Sequence, residues 1–284
     1  MKPAERFTSR VESYRRHRPG YPRAIVGLLA RECGLNPDSI IADIAAGTGL
    51  LTVIFLEQKY AVIAIEPNQA MREAGQELIE EYPRLQCIPG TAEATGLADN
   101  SVDLVTVGQA MHWFDLVRTR AEFRRFLRPQ GWCAVIYNNR RMGGDSFHEG
   151  YEQILTGFGT DYENVKGSHL AEAELKAFFA PEEVKVATFA NAQDLTLEGL
   201  EGRILSSSYM PQPGHPRYEA MHKTIEELFA REQKNGHVRL EYECMVTYGQ
   251  LTHHTRPTQA PPTNSPEGTT ENSPARSAEK PSHQ

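Results

Sequence analysis

The stretch Ser39–Gly49, reading SIIADIAAGTG, constrains this 284-residue chain more than any other. Ile40, Ile41, Ala42 and Ile44 make a short apolar run rich in β-branched side chains, as a buried parallel strand requires. Gly47-Thr48-Gly49 breaks the run, and helical spacing resumes over Leu50–Lys59. Strand, glycine turn and helix in that order form a ligand cradle. Glycine lets the backbone approach a small molecule, and the helix N-terminus offers N–H groups. A second apolar run, Ala61–Ile65, ends in an acid, Glu66. At that place in a doubly wound sheet an acid accepts hydrogen bonds from ribose hydroxyls, so the expected ligand is a nucleoside derivative.

Charge narrows the choice. A nicotinamide dinucleotide needs G-x-G-x-x-G/A, with its pyrophosphate against bare backbone N–H groups. Here Gly47 opens G-T-G-L-L-T, with Thr52 in the third glycine's place, and Asp43 at the strand end would repel a diphosphate. Asp43 suits a ligand that carries a cationic amine and a sulfonium and no phosphate, namely S-adenosylmethionine. From Asp43 to Gly49 the sequence resembles the first motif of the class I methyltransferases, D-x-G-x-G-x-G, with Ala45 in place of the first glycine. Gly90-Thr91-Ala92-Glu93 resembles their second motif, where an acid or its neighbour meets the adenine amino group. The segment Gln109–Phe114, QAMHWF, resembles Q-A-x-H-W-F of the trans-aconitate methyltransferase-like small-molecule group.

The resemblance implies an α/β fold, a doubly wound seven-stranded sheet of order 3-2-1-4-5-7-6 with the last strand antiparallel and helical cap insertions. It implies S-adenosylmethionine held by Tyr14, Arg18, Asp43, Ala45, Gly47, Gly49, Glu66, Pro67, Met71, Ala92, Glu93 and Gln109. His112, Trp113 and Tyr209 are the substrate-side candidates. His112 is the candidate catalytic residue, as a general base or as an orienting group. Each has a plainer alternative: a core methionine for Met71, a surface carboxylate for Glu93, a structural histidine and a core tryptophan for the pair at 112–113. No N-P-P-[YF] tetrad follows the fourth strand, which disfavours an exocyclic-amine acceptor.

Bulk properties set the frame. The formal charge of −7 argues against general nucleic-acid binding, yet Met1–Arg31 holds eight Lys/Arg against two Glu. By charge that basic segment is a solvated helix or a lid over an anionic group. The resemblance implies a segment that lies across the cofactor, with Tyr14, Arg15 and Arg18 at its carboxylate; the alternative is a docking arm that covers the sheet edge. Cys33, Cys87, Cys133 and Cys244 form no C-x-x-C pair and no metal site is expected. With no signal peptide and no apolar run of membrane length, a cytoplasmic protein without a membrane partner is the expectation.

Further strands are expected at Leu85–Pro89, Ser101–Val107, Trp132–Tyr137, Val184–Ala190 and Arg239–Tyr248. Helices are expected at Asn68–Glu80, Arg120–Leu127, Phe147–Gly157, Glu172–Phe179 and Tyr218–Gln233. The reading is one methyltransferase domain over 1–251, with a lid at 1–31, a cap within about 141–235, and a disordered tail at 252–284. The tail has six prolines and no Leu, Ile, Val, Met or aromatic residue. The function expected is in-line methyl transfer to a small molecule, one that the basic lid suits if it is anionic. A cofactor-binding sensor or scaffold, or a nucleic-acid methyltransferase, stays open. Oligomeric state is undetermined, with a monomer the simplest case.

Overall fold

The computed structural model describes residues 11–162 and 170–251. The first ten residues of the expected lid, residues 163–169 of the expected cap and the expected tail at 252–284 lie outside the described residues. Seven strands form one sheet: β1 Ile40–Ile44, β2 Ala61–Ile65, β3 Leu85–Ile88, β4 Val102–Gly108, β5 Leu127–Arg140, β6 Lys185–Leu195 and β7 Val238–Gln250. Their order is β3-β2-β1-β4-β5-β7-β6. The pairs among β1 to β5 are parallel, while β7 runs antiparallel to both β5 and β6.

Alternation along the strands builds two cores. Ala42, Ile44, Val105 and Val107 face one side, under Phe123 and Phe126 of α5 (Leu116–Phe126) and Phe178 of α7 (Glu172–Phe179). Ile41, Leu104, Ala134 and Ile136 face the other, under Ile25 and Leu29 of α2 (Ala24–Cys33) and Phe55 of α3 (Thr52–Leu56). A sheet covered on both faces needs such strands, because every side chain is removed from water. The sequence order reverses between β1 and β4, and a doubly wound sheet opens its binding crevice at that point.

A third apolar cluster stands apart. It joins α6 (Ser146–Phe158), α8 (Leu197–Leu205) and α9 (Tyr218–Glu232) to Leu195, Val238, Leu240 and Tyr242 of the paired strands β6 and β7. The β6–β7 pairing is longer than the sequence pattern suggests: β6 continues past Ala190 to Leu195, paired with Val238. These extensions floor the helices. The short helix α8 is not anticipated from the sequence, although Thr196 caps it by accepting from the Gly199 N–H at 3.2 Å.

Two other elements differ from expectation. α3 stops at Leu56, and Lys59, at φ 66°, turns the chain toward β2. β5 begins at Leu127, and residues 128–131 bulge out of register before Trp132 pairs with Leu104. At the N-terminus, α4 (Gln69–Gln76) and α8 both flank the short helix α1 (Val11–His17).

Ala45 sits at φ 56°, in the left-handed region where a Cβ is strained. Ala45→Gly should therefore stabilise the protein by about 1 kcal/mol, read as a higher urea midpoint with an unchanged slope.

Candidate active site

Asp43 sits at the C-terminal end of β1 and is 1% exposed. Its two oxygens are taken separately: Thr52 Oγ1 donates to Oδ2 at 2.6 Å, and Thr106 Oγ1 donates to Oδ1 at 3.0 Å. Burial pushes the Asp43 carboxyl up to about 7, against the lowering effect of those two hydroxyls. Glu66, at the end of β2, holds the glycine turn from the other side. Its Oε2 accepts from the Gly47 N–H at 2.9 Å and its Oε1 from the Asn68 N–H at 2.8 Å. Burial raises its pKa as well, opposed by the same backbone donors. A carboxylate offers about four lone-pair sites, so each Glu66 oxygen retains one for a ligand.

The cleft above this turn has a volume of about 410 Å³. It brings together Tyr14, Arg18, Asp43, Ala45, Gly47, Gln109, His112, Trp113 and Tyr209, residues scattered over nearly two hundred positions. Glu66 and Gly49 line a small recess behind Gly47 with Arg72 and Leu78. Gly49 takes φ 87°, a backbone conformation that strains any residue with a Cβ, and a Cβ there would also press on Leu78 Cδ1. Pro67, Met71, Ala92 and Glu93 fall outside both spaces. Met71 and Ala92 are buried, while the Glu93 Oε1 accepts from the Asp115 N–H at 3.0 Å, just before α5.

The N-terminal segment is fastened across the cleft. The Gly20 carbonyl accepts from Asn138 Nδ2 at 3.1 Å and from Asn191 Nδ2 at 2.8 Å, which ties Arg18–Pro22 to β5 and β6. Tyr21 then lies so close to β4 that a Cβ on Gly108 would sit 2.7 Å from its hydroxyl. Across the cleft, Gln109 takes φ 58°, and its Nε2 donates to the Asn138 carbonyl at 3.3 Å. His112 Nδ1 lies 3.3 Å from Tyr137 Oη, and its ring centroid is 4.6 Å from that of Trp113. Trp113 remains 40% exposed. Burial pushes the Tyr137 hydroxyl up to about 12, so it is protonated at neutral pH.

Sequence reasoning missed the wall opposite this loop: Arg140, Tyr151, Tyr162 and Arg203 line the cleft from β5, α6, residue 162 and α8. The signal was present for Arg203. Thr196 as a cap with Leu197, Leu200 and Ile204 at helical spacing marks α8.

A methyltransferase-domain family model matches residues 42–135. An uncharacterised methyltransferase of Schizosaccharomyces pombe is 31% identical over 227 residues, covering 78% of this chain and 86% of that protein. The chain belongs to the class I S-adenosylmethionine-dependent methyltransferases. An uncharacterised methyltransferase of Mycobacterium bovis is 37% identical over 139 residues, 48% of this chain and 54% of that protein. A solved structure from Anaeromyxobacter dehalogenans, assigned as a type II methyltransferase, shares the fold. Its TM-score is 0.64 at 22% identity, over 84% of this chain and 99% of that one. A phosphoethanolamine N-methyltransferase of Haemonchus contortus, in complex with S-adenosylhomocysteine, has a TM-score of 0.52 at 13% identity, over 87% and 58%. The enzyme's cofactor is S-adenosylmethionine. No helix among the described residues is long and apolar enough to cross a membrane.

Asp43 gives this methyltransferase a pH signature. In the unfolded chain the group ionises near 3.9, whereas in the fold it stays protonated up to about 7. The native state thus binds more protons in that window, and stability falls as pH rises through it, levelling off above. Between pH 4 and 7 the cofactor-free protein should lose on the order of 1 kcal/mol per pH unit relative to Asp43→Asn, measured by urea denaturation.

Proposed function

We propose that the enzyme transfers the methyl group of S-adenosylmethionine in line to a small-molecule acceptor held between the Gln109–Trp113 loop and the cap helices. The observation that carries this reading is the cleft itself. About 410 Å³, walled by Trp113, Tyr151, Tyr162 and Tyr209 and crossed by the N-terminal segment, suits a small organic molecule. The formal charge of −7 speaks against a polynucleotide.

The residues present fit the cofactor. Asp43 offers a buried carboxylate to a cationic ligand, and Glu66 has lone pairs left for ribose hydroxyls. Arg18 Nε is buried without a hydrogen-bond partner, beside the half-buried Tyr14, and suits the cofactor's carboxylate. When bound, the cofactor supplies a methyl carbon whose bond to sulfur breaks, with the electron pair, as the acceptor's lone pair attacks. The chain's own task is alignment and exclusion of water. Tyr14, Arg18 and Tyr21 cover the donor side, and Trp113 and Tyr209 wall the acceptor side.

His112 is the polar group that meets the acceptor, and Tyr137 fixes its ring. With Nδ1 donating to Tyr137 Oη, Nε2 carries no proton and can take one. With Tyr137 donating to Nδ1, Nε2–H becomes a donor that orients the acceptor.

Two substitutions check these assignments. Arg18→Gln should weaken S-adenosylhomocysteine roughly ten- to a hundredfold in calorimetry, as a charge-assisted bond implies. It should leave 5′-methylthioadenosine, which lacks the carboxylate, unchanged.

His112→Ala should leave cofactor affinity intact and lower methyl transfer from labelled cofactor into a metabolite extract by roughly 10²–10⁴ if the group is a base. A wild-type rate climbing through an ionisation near 6.5, absent in the mutant, assigns the base role; a flat rate assigns the donor role. Full transfer in the mutant removes His112 from the reaction.

A further inference from the structure

The methyl-transfer reading leaves the acceptor's chemistry open, and the charges of the cleft speak to it. Three arginines reach the cleft: Arg18 after α1, Arg140 at the end of β5, and Arg203 on α8. Arg140 is matched. It pairs with Glu152 and donates to Tyr162 Oη at 3.0 Å. Arg18 and Arg203 meet no carboxylate among the described residues. Arg18 donates to the Ser206 carbonyl at 3.1 Å and lies 5.0 Å from the Tyr14 ring. Arg203, 8% exposed, donates from Nε to Tyr242 Oη at 3.1 Å and reaches Ser207 Oγ at 3.5 Å. Every one of those partners is neutral.

Among the described residues the one carboxylate lining the cleft is Asp43, and both of its oxygens are engaged by threonine hydroxyls. Burial and the neighbouring Arg203 charge both push the Arg18 guanidinium below its ordinary value. A half-buried cation, Arg18, and a buried one, Arg203, without a counter-charge among the described residues are costly, and a bound anion would offset that cost. Among the described residues the cleft also holds four buried polar atoms without a hydrogen-bond partner: Arg18 Nε, Thr48 Oγ1, Asn139 Oδ1 and the hydroxyl of Tyr151, fully buried on α6. Asn139 Oδ1 can only accept, whereas the Tyr151 hydroxyl can donate, and a hydroxyl donor in one cleft with arginines that meet no carboxylate is the make-up of an oxyanion seat. The cofactor's carboxylate takes up Arg18 on the N-terminal segment. Arg203, on the cap, is left over.

We infer that Arg203, with the Tyr151 hydroxyl, seats an oxyanion of the methyl acceptor, a carboxylate or a phosphate group. This deepens the methyl-transfer reading and rests on it.

The test uses the full chain saturated with S-adenosylhomocysteine, so that the cofactor carboxylate occupies its own place. Inorganic phosphate, acetate, succinate and citrate are titrated separately, with neutral succinamide as the control. Binding is read by calorimetry and by fluorescence of Trp113, one of two tryptophans and itself in the cleft. At least one oxyanion should saturate below about 20 mM while succinamide does not, and the winning probe tells phosphate from carboxylate. Arg203→Gln should weaken that probe about tenfold or more, Arg203→Lys less, with S-adenosylhomocysteine affinity changed under about twofold.

Because Arg203 is buried, Ser207→Asp is a second variant. It keeps the arginine, adds a carboxylate beside it and should block the same probe. No saturable oxyanion in the wild type overturns the inference. So does oxyanion binding that survives both substitutions, or a loss that falls on S-adenosylhomocysteine instead. An enzyme that seats the oxyanion yet transfers no methyl group to any small molecule would instead sink the proposed function.

Discussion

A carboxylate buried where the strand order reverses is the constraint from which the rest of the site follows. Asp43 draws in Thr52 at the start of α3 and Thr106 on β4, so three elements converge on one acidic group. That convergence explains a departure in the glycine turn. Where a dinucleotide fingerprint places a third glycine for close helix packing, this chain has Thr52, because its hydroxyl is needed to satisfy Asp43. Two hydroxyl bonds leave the carboxyl near 7, poised between neutral and charged. A cation at the turn favours the charged form, and burial by itself favours the neutral one. The group therefore costs little in the free protein and attracts most strongly when the ligand is present.

Glu66 plays a second, structural part that its position after β2 also demands. By accepting from the Gly47 and Asn68 N–H groups it joins the turn after β1 to the start of α4. The turn is thus shaped before any ligand arrives, which lowers the ordering cost of binding. The basic N-terminal segment is held by comparable means. Arg15 pairs with Glu77 and Arg16 lies near Glu198, so part of its charge is answered by acids on two different flanks. Arg18 is exempt from that matching and reaches the cleft.

The parallel half of the fold was legible because its signals are local. Ile40–Ile44, Ala61–Ile65 and Glu172–Phe179 carry their elements within a few residues, and the observed bounds agree. The alternation in Leu240, Tyr242, Cys244, Val246 and Tyr248 likewise declared β7. The glycine turn named a place for Asp43 and Glu66, although it gave no sign that both carboxylates serve as hubs for the protein's own donors. Lys59 in the left-handed region and the bulge before Trp132 were not legible, since each answers to the neighbouring strand. Nor did the motif at Glu93 announce that its Oε1 accepts from the Asp115 N–H.

The cap was harder to read for a physical reason: its polar groups find their hydrogen-bond partners across the fold and not along the chain. Arg203 Nε donates to Tyr242 Oη on β7, Tyr242 Oη donates to Gln193 Oε1 on β6 at 2.7 Å, and Gln193 Nε2 donates to the His17 carbonyl at 3.0 Å. No periodicity in sequence announces such a chain. Its members polarise one another in a low-dielectric interior, so each bond strengthens the next. The chain also links α8, the antiparallel pair β6–β7 and the end of α1. The long antiparallel pair thereby does more than complete the sheet. It carries a hydrogen-bonded line from the arginine of the cap to the helix that precedes Arg18. Arg18 itself donates to the Ser206 carbonyl just past α8, so this line and that bond together tie the segment that carries Arg18 to the helix that carries Arg203.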